Sequence, residues 1–410
     1  MKLKGMNISR ALALMFPMGF ASGLPLALSG GTLQAWLTVA GVDIKTIGLF
    51  SLVGLPYTLK FIWSPVMDRF SMPFLGRRRG WILACQLSLV MLTCFMAILD
   101  PAGQAPVMGL AAILLAFFSA SQDIVIDAYR TDSLKERERG LGVGLTVTGY
   151  RIAMLVSGAL SLIMADHLGW KTTYLAMAGT MAAASLFTFW APEPESVTNP
   201  PRTIREAVVE PVRELFTRRA ALSFLLLIVL YKIGDAFAGT LTTAFLIRGA
   251  GFSPTDVGAI NKGLGLAATI IGAMAGGGLM TRMGLYTSLM FFGILQAISN
   301  LAFMALAMVG KSYPVMIGAV GLENICGGMG TAAFVAFLMA LCNRRFSATQ
   351  YAVLSALAAV GRVFVGPPSG VLVASVGWAE FFFFTFLAAL PGLLLLLYLK
   401  QDVERLENPS

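Results

Sequence analysis

Several charged side chains stand deep inside long apolar runs, where their solvation is poor. The bases are Lys60, Arg151, Lys232, Lys262 and Arg362, and the acids are Asp123, Asp235 and Glu323, with Asp127 nearer the end of its run. Placing a charge at a bilayer centre costs roughly 3 kcal/mol on insertion scales, so each such residue is a functional candidate. The bases outnumber the acids. Unpaired buried positive charge is unfavourable, and an anionic ligand would relieve it. Guanidinium groups such as those of Arg151 and Arg362 match carboxylates in a bidentate fork. The competing role for each residue is an ion pair between helices, most directly for Lys232 and Asp235 at i, i+3. Asp123 and Asp127, at i, i+4, share a helix face. Gln34, Gln122, Tyr150, Tyr231, Asn261 and Asn324 add uncharged polar groups suited to sugar hydroxyls and peptide amides, or to hydrogen bonds between helices. Coupling to protons needs a group that changes protonation state. Asp123 and Glu323, with no sequence-local base, are the first candidates and Asp235 the next.

The elements that must carry these residues follow from composition. The chain of 410 residues is 57% hydrophobic and 12% charged, whereas a soluble domain carries about 25% charge. A spanning helix needs roughly 20 apolar residues, and the sequence divides into about twelve such stretches: 11–40, 46–67, 81–99, 106–128, 139–164, 170–191, 220–247, 255–280, 285–309, 314–342, 348–374 and 378–399. Continuous runs of Leu, Ala, Met and Gly predict an all-α membrane protein, since a barrel would alternate over about ten residues. The first run follows Lys2, Lys4 and Arg10, but Pro17 and Gly19 interrupt it and it exceeds the length of a signal-peptide core, so it is expected to be an uncleaved span. Cys85, Cys94, Cys326 and Cys342 fall within spans with no disulfide or metal-ligand spacing. His167, the single histidine, cannot make a multi-histidine metal site.

Lys and Arg concentrate on one side of the predicted spans, at the chain ends and in loops holding Arg77, Arg78, Arg79, Arg130, Arg137, Arg202, Arg205, Arg218, Arg219, Arg344 and Arg345. The opposite breaks hold only Lys45, Lys171, Arg248 and Lys311. The asymmetry places both termini in the cytoplasm. Together with contact with anionic lipid, it accounts for the net charge of +9 without a nucleic-acid partner. The Pro-rich, charged break 193–219 is expected to be a cytoplasmic linker between six-helix halves at 1–192 and 220–410. The halves share local patterns at an offset near 210: Ala-Gly-Val-Asp-Ile-Lys-Thr-Ile-Gly at 40–48 matches Ala-Gly-Phe-Ser-Pro-Thr-Asp-Val-Gly at 250–258. Likewise Arg151, Ser157-Gly158 and Gly169-Trp170 match Arg362, Ser369-Gly370 and Gly377-Trp378. A parallel duplication of six spans is the major-facilitator pattern, with the substrate site between the halves. Arg151 and Arg362, at matching mid-span positions, are expected to face each other across the pathway and hold acidic groups of the substrate.

The second span ends in Asp68-Arg69-Phe70 and is followed by Gly76-Arg77-Arg78-Arg79-Gly80. This resembles a stretched form of the major-facilitator loop motif Gly-x-x-x-Asp-Arg-x-Gly-Arg-Arg, with Ser64 at the leading Gly and five residues between Phe70 and Gly76. Such charges can pair between inner helix ends as a conformational latch, with Asp127 a further partner.

Longer blocks carry a more specific resemblance. Gly19-Phe20-Ala21-Ser22-Gly23-Leu24-Pro25-Leu26, Thr32-Leu33-Gln34-Ala35-Trp36, Lys60-Phe61-Ile62-Trp63-Ser64-Pro65, Ser119-Ala120-Ser121-Gln122-Asp123-Ile124-Val125, Tyr231-Lys232-Ile233-Gly234-Asp235-Ala236-Phe237 and Glu323-Asn324-Ile325-Cys326-Gly327-Gly328-Met329-Gly330 resemble the anhydromuropeptide permeases over nearly the whole chain. The resemblance implies a bacterial cytoplasmic-membrane symporter of the major facilitator type. Members import N-acetylglucosaminyl-anhydro-N-acetylmuramic acid, with or without its stem peptide, using the proton gradient. They feed peptidoglycan recycling and, in some bacteria, β-lactamase induction. Their ligands are anionic, in keeping with the basic excess among the buried charges. Some members carry further hydrophobic segments after the twelve. This chain stops at 401–410, so a role for that extension is expected to be absent or unnecessary here.

Two rival readings stay open: a carrier of another anionic metabolite such as acyl-coenzyme A, and a non-transporting membrane receptor. An enzyme is not expected, because no nucleophile–His arrangement or soluble catalytic domain is visible. No cofactor is expected, since Gly276-Gly277-Gly278 and Gly327-Gly328 follow no strand and do not make a phosphate loop. The expected partners are a small anionic amino-sugar peptide, protons and lipid, and the expected state is a monomer.

Overall fold

The computed structural model describes residues 10–64, 67, 70, 72, 75–134, 136–194, 213, 220–342 and 347–407, and the described residues contain helices and no strand. Most of the expected linker, and Asp68 and Arg69 of the expected latch, lie outside them. Among the described residues ten helices are long and apolar enough to cross a membrane. Ile44–Leu59 is a shorter apolar helix, and Trp170–Trp190 spans 21 residues but carries Lys171 and a scatter of Thr and Ser. By contact the chain forms two compact units, Met1–Gly41 with Val53–Thr198, and Val42–Leu52 with Asn199–Ser410.

The first unit contains α1 (Arg10–Ser29), α2 (Gly31–Val39), then, past the start of the second predicted span at α3 (Ile44–Leu49), α4 (Leu55–Leu59), α5 (Arg77–Ala97), α6 (Ala105–Ser133), α7 (Glu136–Met154), α8 (Ser161–Leu168) and α9 (Trp170–Trp190). Helix α1 packs closely on α7 because Gly19 and Gly149 carry no side chain. A Cβ on Gly19 would run into the Thr146 backbone, and one on Gly149 into that of Phe16. Close approach of this kind drives association where lipid removes the hydrophobic difference between partners. Around it lies a core of Leu12, Met15, Met18, Ile82, Val125, Ile126 and Tyr129. A π-helical turn, Leu155–Leu160, separates α7 from α8.

The second unit holds α3 and then α10 (Ala221–Tyr231), α11 (Ile233–Ala244), α12 (Gly265–Met283), α13 (Leu285–Val309), α14 (Tyr313–Ala340), α15 (Ser347–Phe364), α16 (Gly366–Val376), α17 (Trp378–Tyr398) and α18 (Lys400–Glu407). Its core includes Leu227, Ile228, Phe292, Phe334, Phe337 and Leu396. The predicted seventh span is not one helix. It breaks at Lys232, which caps α10 and precedes α11. It then loosens into a π turn at Phe245–Gly249, and a second π turn, Val257–Leu264, leads into α12. Such turns recur at functional sites because they re-aim side chains inside an otherwise regular helix.

The matched sequence blocks have matched local chemistry. Gly41 and Gly251 both hold positive φ, 82° and 76°, a conformation that favours glycine. Two residues later each block supplies an N-cap. Asp43 accepts from the backbone N–H groups of Lys45 and Thr46, and Ser253 forms a capping box with Asp256. These caps satisfy donors that a helix start leaves open.

Candidate functional site

The break at Lys232 and the first turn of α11 open a cavity in the second unit. It has a volume of about 360 Å³ and is lined by Lys232, Asp235, Thr269, Glu323, Asn324, Thr331 and Arg362, among others. Lys232 and Asp235 form the ion pair expected from their spacing, with Nζ 3.2 Å from Oδ2. The ammonium also donates to Thr331 Oγ1 at 3.3 Å and stands 5.6 Å from the centre of the Phe334 ring. Gln296 of α13 donates its amide N–H to the same Oδ2.

Glu323 and Asn324 lie side by side on α14. The Asn324 amide donates 2.8 Å bonds to Glu323 Oε2 and to the Val320 carbonyl. Its carbonyl oxygen accepts from Thr269 at 3.0 Å. Lys262 and Lys232 are the cations whose fields reach Glu323, and Asp235 is the like charge. Lys262, on the second π turn next to Asn261, also donates to Thr243 Oγ1 at 3.3 Å. Arg362, in the last turn of α15, is exposed and lines the cavity. Tyr231 is placed differently from the others. Its hydroxyl donates to the Leu289 carbonyl at 2.8 Å and its ring stacks parallel on Phe334 with centroids 5.5 Å apart, so its polar atom is used inside the helix packing.

In the first unit Asp123 accepts a 2.5 Å hydrogen bond from Ser22 of α1. Lys60, on the 3-10 turn after α4, is the cation whose field reaches it, and Asp127 the like charge. Neighbouring Gln122 is fully buried, with neither amide atom hydrogen-bonded among the described residues. Gln34 lies on α2 and Tyr150 on α7, both half-buried, whereas Arg151, one residue on, is exposed.

The basic loop residues begin helix α5 rather than preceding it. The backbone N–H groups of Arg78 and Arg79 donate to the two carboxylate oxygens of Glu193, at 2.7 and 3.0 Å. The Arg78 guanidinium pairs with Asp132 at 2.8 Å, and that of Arg79 donates to the Phe189 carbonyl at the end of α9. Asp127 pairs with Arg130 on its own helix, 3.0 Å away. Residue reading missed Glu193, Asp132, Gln296, Thr331, Thr269 and Ser22. Gln296 alone carried a usable signal, an amide in the middle of an apolar run. The hydroxyl residues are too common within spans to stand out.

A family model for the Major Facilitator Superfamily matches residues 15–364. The anhydromuropeptide permease of Escherichia coli is 54% identical over 393 residues, 96% of this chain and 80% of that protein. A putative transporter, AmpG 4, of Rickettsia felis is 34% identical over 95% of this chain and 96% of its own length. Among solved structures, a D-xylose–proton symporter superposes with a TM-score of 0.71 at 12% identity, covering 94% of this chain and 96% of that one. A POT peptide transporter in complex with sulfate superposes with a TM-score of 0.72 at 14% identity, covering 99% and 97%. At that identity the likeness is one of fold.

Proposed function

The chain belongs to the major facilitator superfamily and, within it, to the anhydromuropeptide permeases, and from that footing we propose that it imports anhydromuropeptides together with protons. It is a multi-pass membrane transporter. The proposed substrate is N-acetylglucosaminyl-anhydro-N-acetylmuramic acid with or without its stem peptide, moved from periplasm to cytoplasm for peptidoglycan recycling. The proposed setting is the bacterial cytoplasmic membrane, with a monomer whose termini are cytoplasmic and whose halves, 1–192 and 220–410, are joined by a linker at 193–219.

The observation that carries this reading is the mixed charge of the second unit's cavity, where Arg362 and Lys232 stand with Asp235 and Glu323. A substrate carboxylate entering that cavity would compete with Asp235 for Lys232 and take the Arg362 fork. Asp235, relieved of its cation, would then accept a proton, which ties anion entry to proton entry. Glu323 is the second proposed proton carrier here, beside Lys262, and Asp123 with Lys60 is its counterpart in the first unit. Gln34, Gln122, Tyr150, Arg151, Asn261 and Asn324 are proposed to serve the sugar and peptide groups. Tyr231 serves by fixing the wall behind Lys232. Asp68, Arg69, Arg77, Arg78, Arg79 and Asp127 are proposed as the conformational latch, with Glu193 and Asp132 as further members. A major facilitator works by alternating access.

Uptake of labelled anhydromuropeptide into cells lacking their own permease tests the reading. Uptake that requires this protein and collapses with an uncoupler is the expected result. Absence of uptake by correctly inserted protein would remove the substrate assignment and turn attention to other anionic metabolites.

A further inference from the structure

Asp235 is held by two donors that reach the same oxygen. Lys232 lies 3.2 Å from Oδ2, and the Gln296 amide also donates to Oδ2. Among the described residues no donor reaches Oδ1, although the carboxylate lines the cavity. Gln296 is 4% exposed and its seat is shaped by α14. A Cβ on Gly330 would run into its amide group, and the next residue, Thr331, supplies the hydroxyl that holds Lys232. Two adjacent positions of one helix therefore set both partners of Asp235. The Gln296 bond differs from the Lys232 bond in one respect. An amide N–H donates to an ionised carboxylate and, more weakly, still donates to the carbonyl oxygen of a neutral carboxyl, whereas an ammonium loses most of its attraction once the acid is neutral.

We propose that Gln296 is a positioning residue for proton coupling, holding Oδ2 of Asp235 in both protonation states so that the proton is exchanged at Oδ1, the oxygen open to the cavity. The inference rests on the proton-coupled reading of that cavity. The other ionisable groups that face Asp235 are Tyr231, Glu323 and Cys326, with Arg362 across the cavity. None of them reaches Oδ2.

The test uses full-length protein in proteoliposomes and labelled anhydromuropeptide. It compares accumulation driven by a pH gradient with exchange at equal pH across the membrane, each as a function of pH. Gln296→Met keeps the volume and removes the donor. Its gradient-driven accumulation should fall about tenfold, the scale of one hydrogen bond to a charged group, with a displaced pH profile and exchange within about twofold of wild type. Gln296→Glu donates only while its own carboxyl is protonated, so it should rescue accumulation at low pH and fail at high pH. A methionine variant with wild-type accumulation and pH profile overturns the proposal. If that variant does not fold, a glutamate variant whose profile matches wild type overturns it as well. A wild-type protein that neither accumulates nor exchanges the substrate would instead contradict the function on which the inference rests.

Discussion

Individual side chains in the second unit's cavity are proposed to divide the chemistry between holding an anion and carrying a proton. Arg362→Lys keeps the charge but loses the planar fork, so KM for an anionic substrate should rise about tenfold, equivalent to about 1.4 kcal/mol, with kcat within about twofold. An unchanged KM in initial-rate uptake would remove Arg362 from the site. Glu323→Gln keeps an acceptor for the Asn324 amide and removes the ionisable group. It should abolish gradient-driven accumulation and leave exchange intact, and concentrative uptake by this variant would assign the proton elsewhere. At this scale the sequence was partly legible. Lys232, at the break before α11, pairs with Asp235 in the first turn of α11, as their i, i+3 spacing allows. The Gln296 and Ser22 bonds could not be read, because each joins helices far apart in sequence and depends on their rotation and register.

Helices here are positioned by their ends and by close backbone contact. Glu193 caps the start of α5 from 115 residues away in the chain. Removing it with Glu193→Ala leaves two helix-start donors unsatisfied and should cost about 1 kcal/mol, lowering Tm in detergent by about 2 °C. An unaltered Tm would show that the cap has no stabilising part. At the α1–α7 contact, Gly19→Val forces a side chain into the Thr146 backbone and should destabilise by about 1–3 kcal/mol, read as loss of monodisperse protein after extraction. The existence of spans was legible because lipid demands continuous apolar runs, and the run 285–309 coincides with α13 (Leu285–Val309). The internal breaks were not. A π turn or a kink at Lys232 has no compositional mark, and Arg77–Arg79 precede an apolar run yet belong to its helix, because the backbone N–H groups of Arg78 and Arg79 meet Glu193 while their guanidinium groups meet Asp132 and the end of α9.

In the whole molecule, anion and proton are proposed to enter together. The basic side chains within the spans would attract the substrate's carboxylates, and the carboxylates beside them would lose their cationic partners when it binds. Proton movement would then be a consequence of anion binding, with no separate proton channel required. The most direct measurement places purified protein in proteoliposomes containing a pH-sensitive dye, with no imposed gradient, and adds anhydromuropeptide outside. The expected result is acidification of the lumen that follows labelled substrate inward and vanishes in an Asp235→Asn, Glu323→Gln double variant. Substrate entry with no change in luminal pH, or acidification that persists in the double variant, would contradict it.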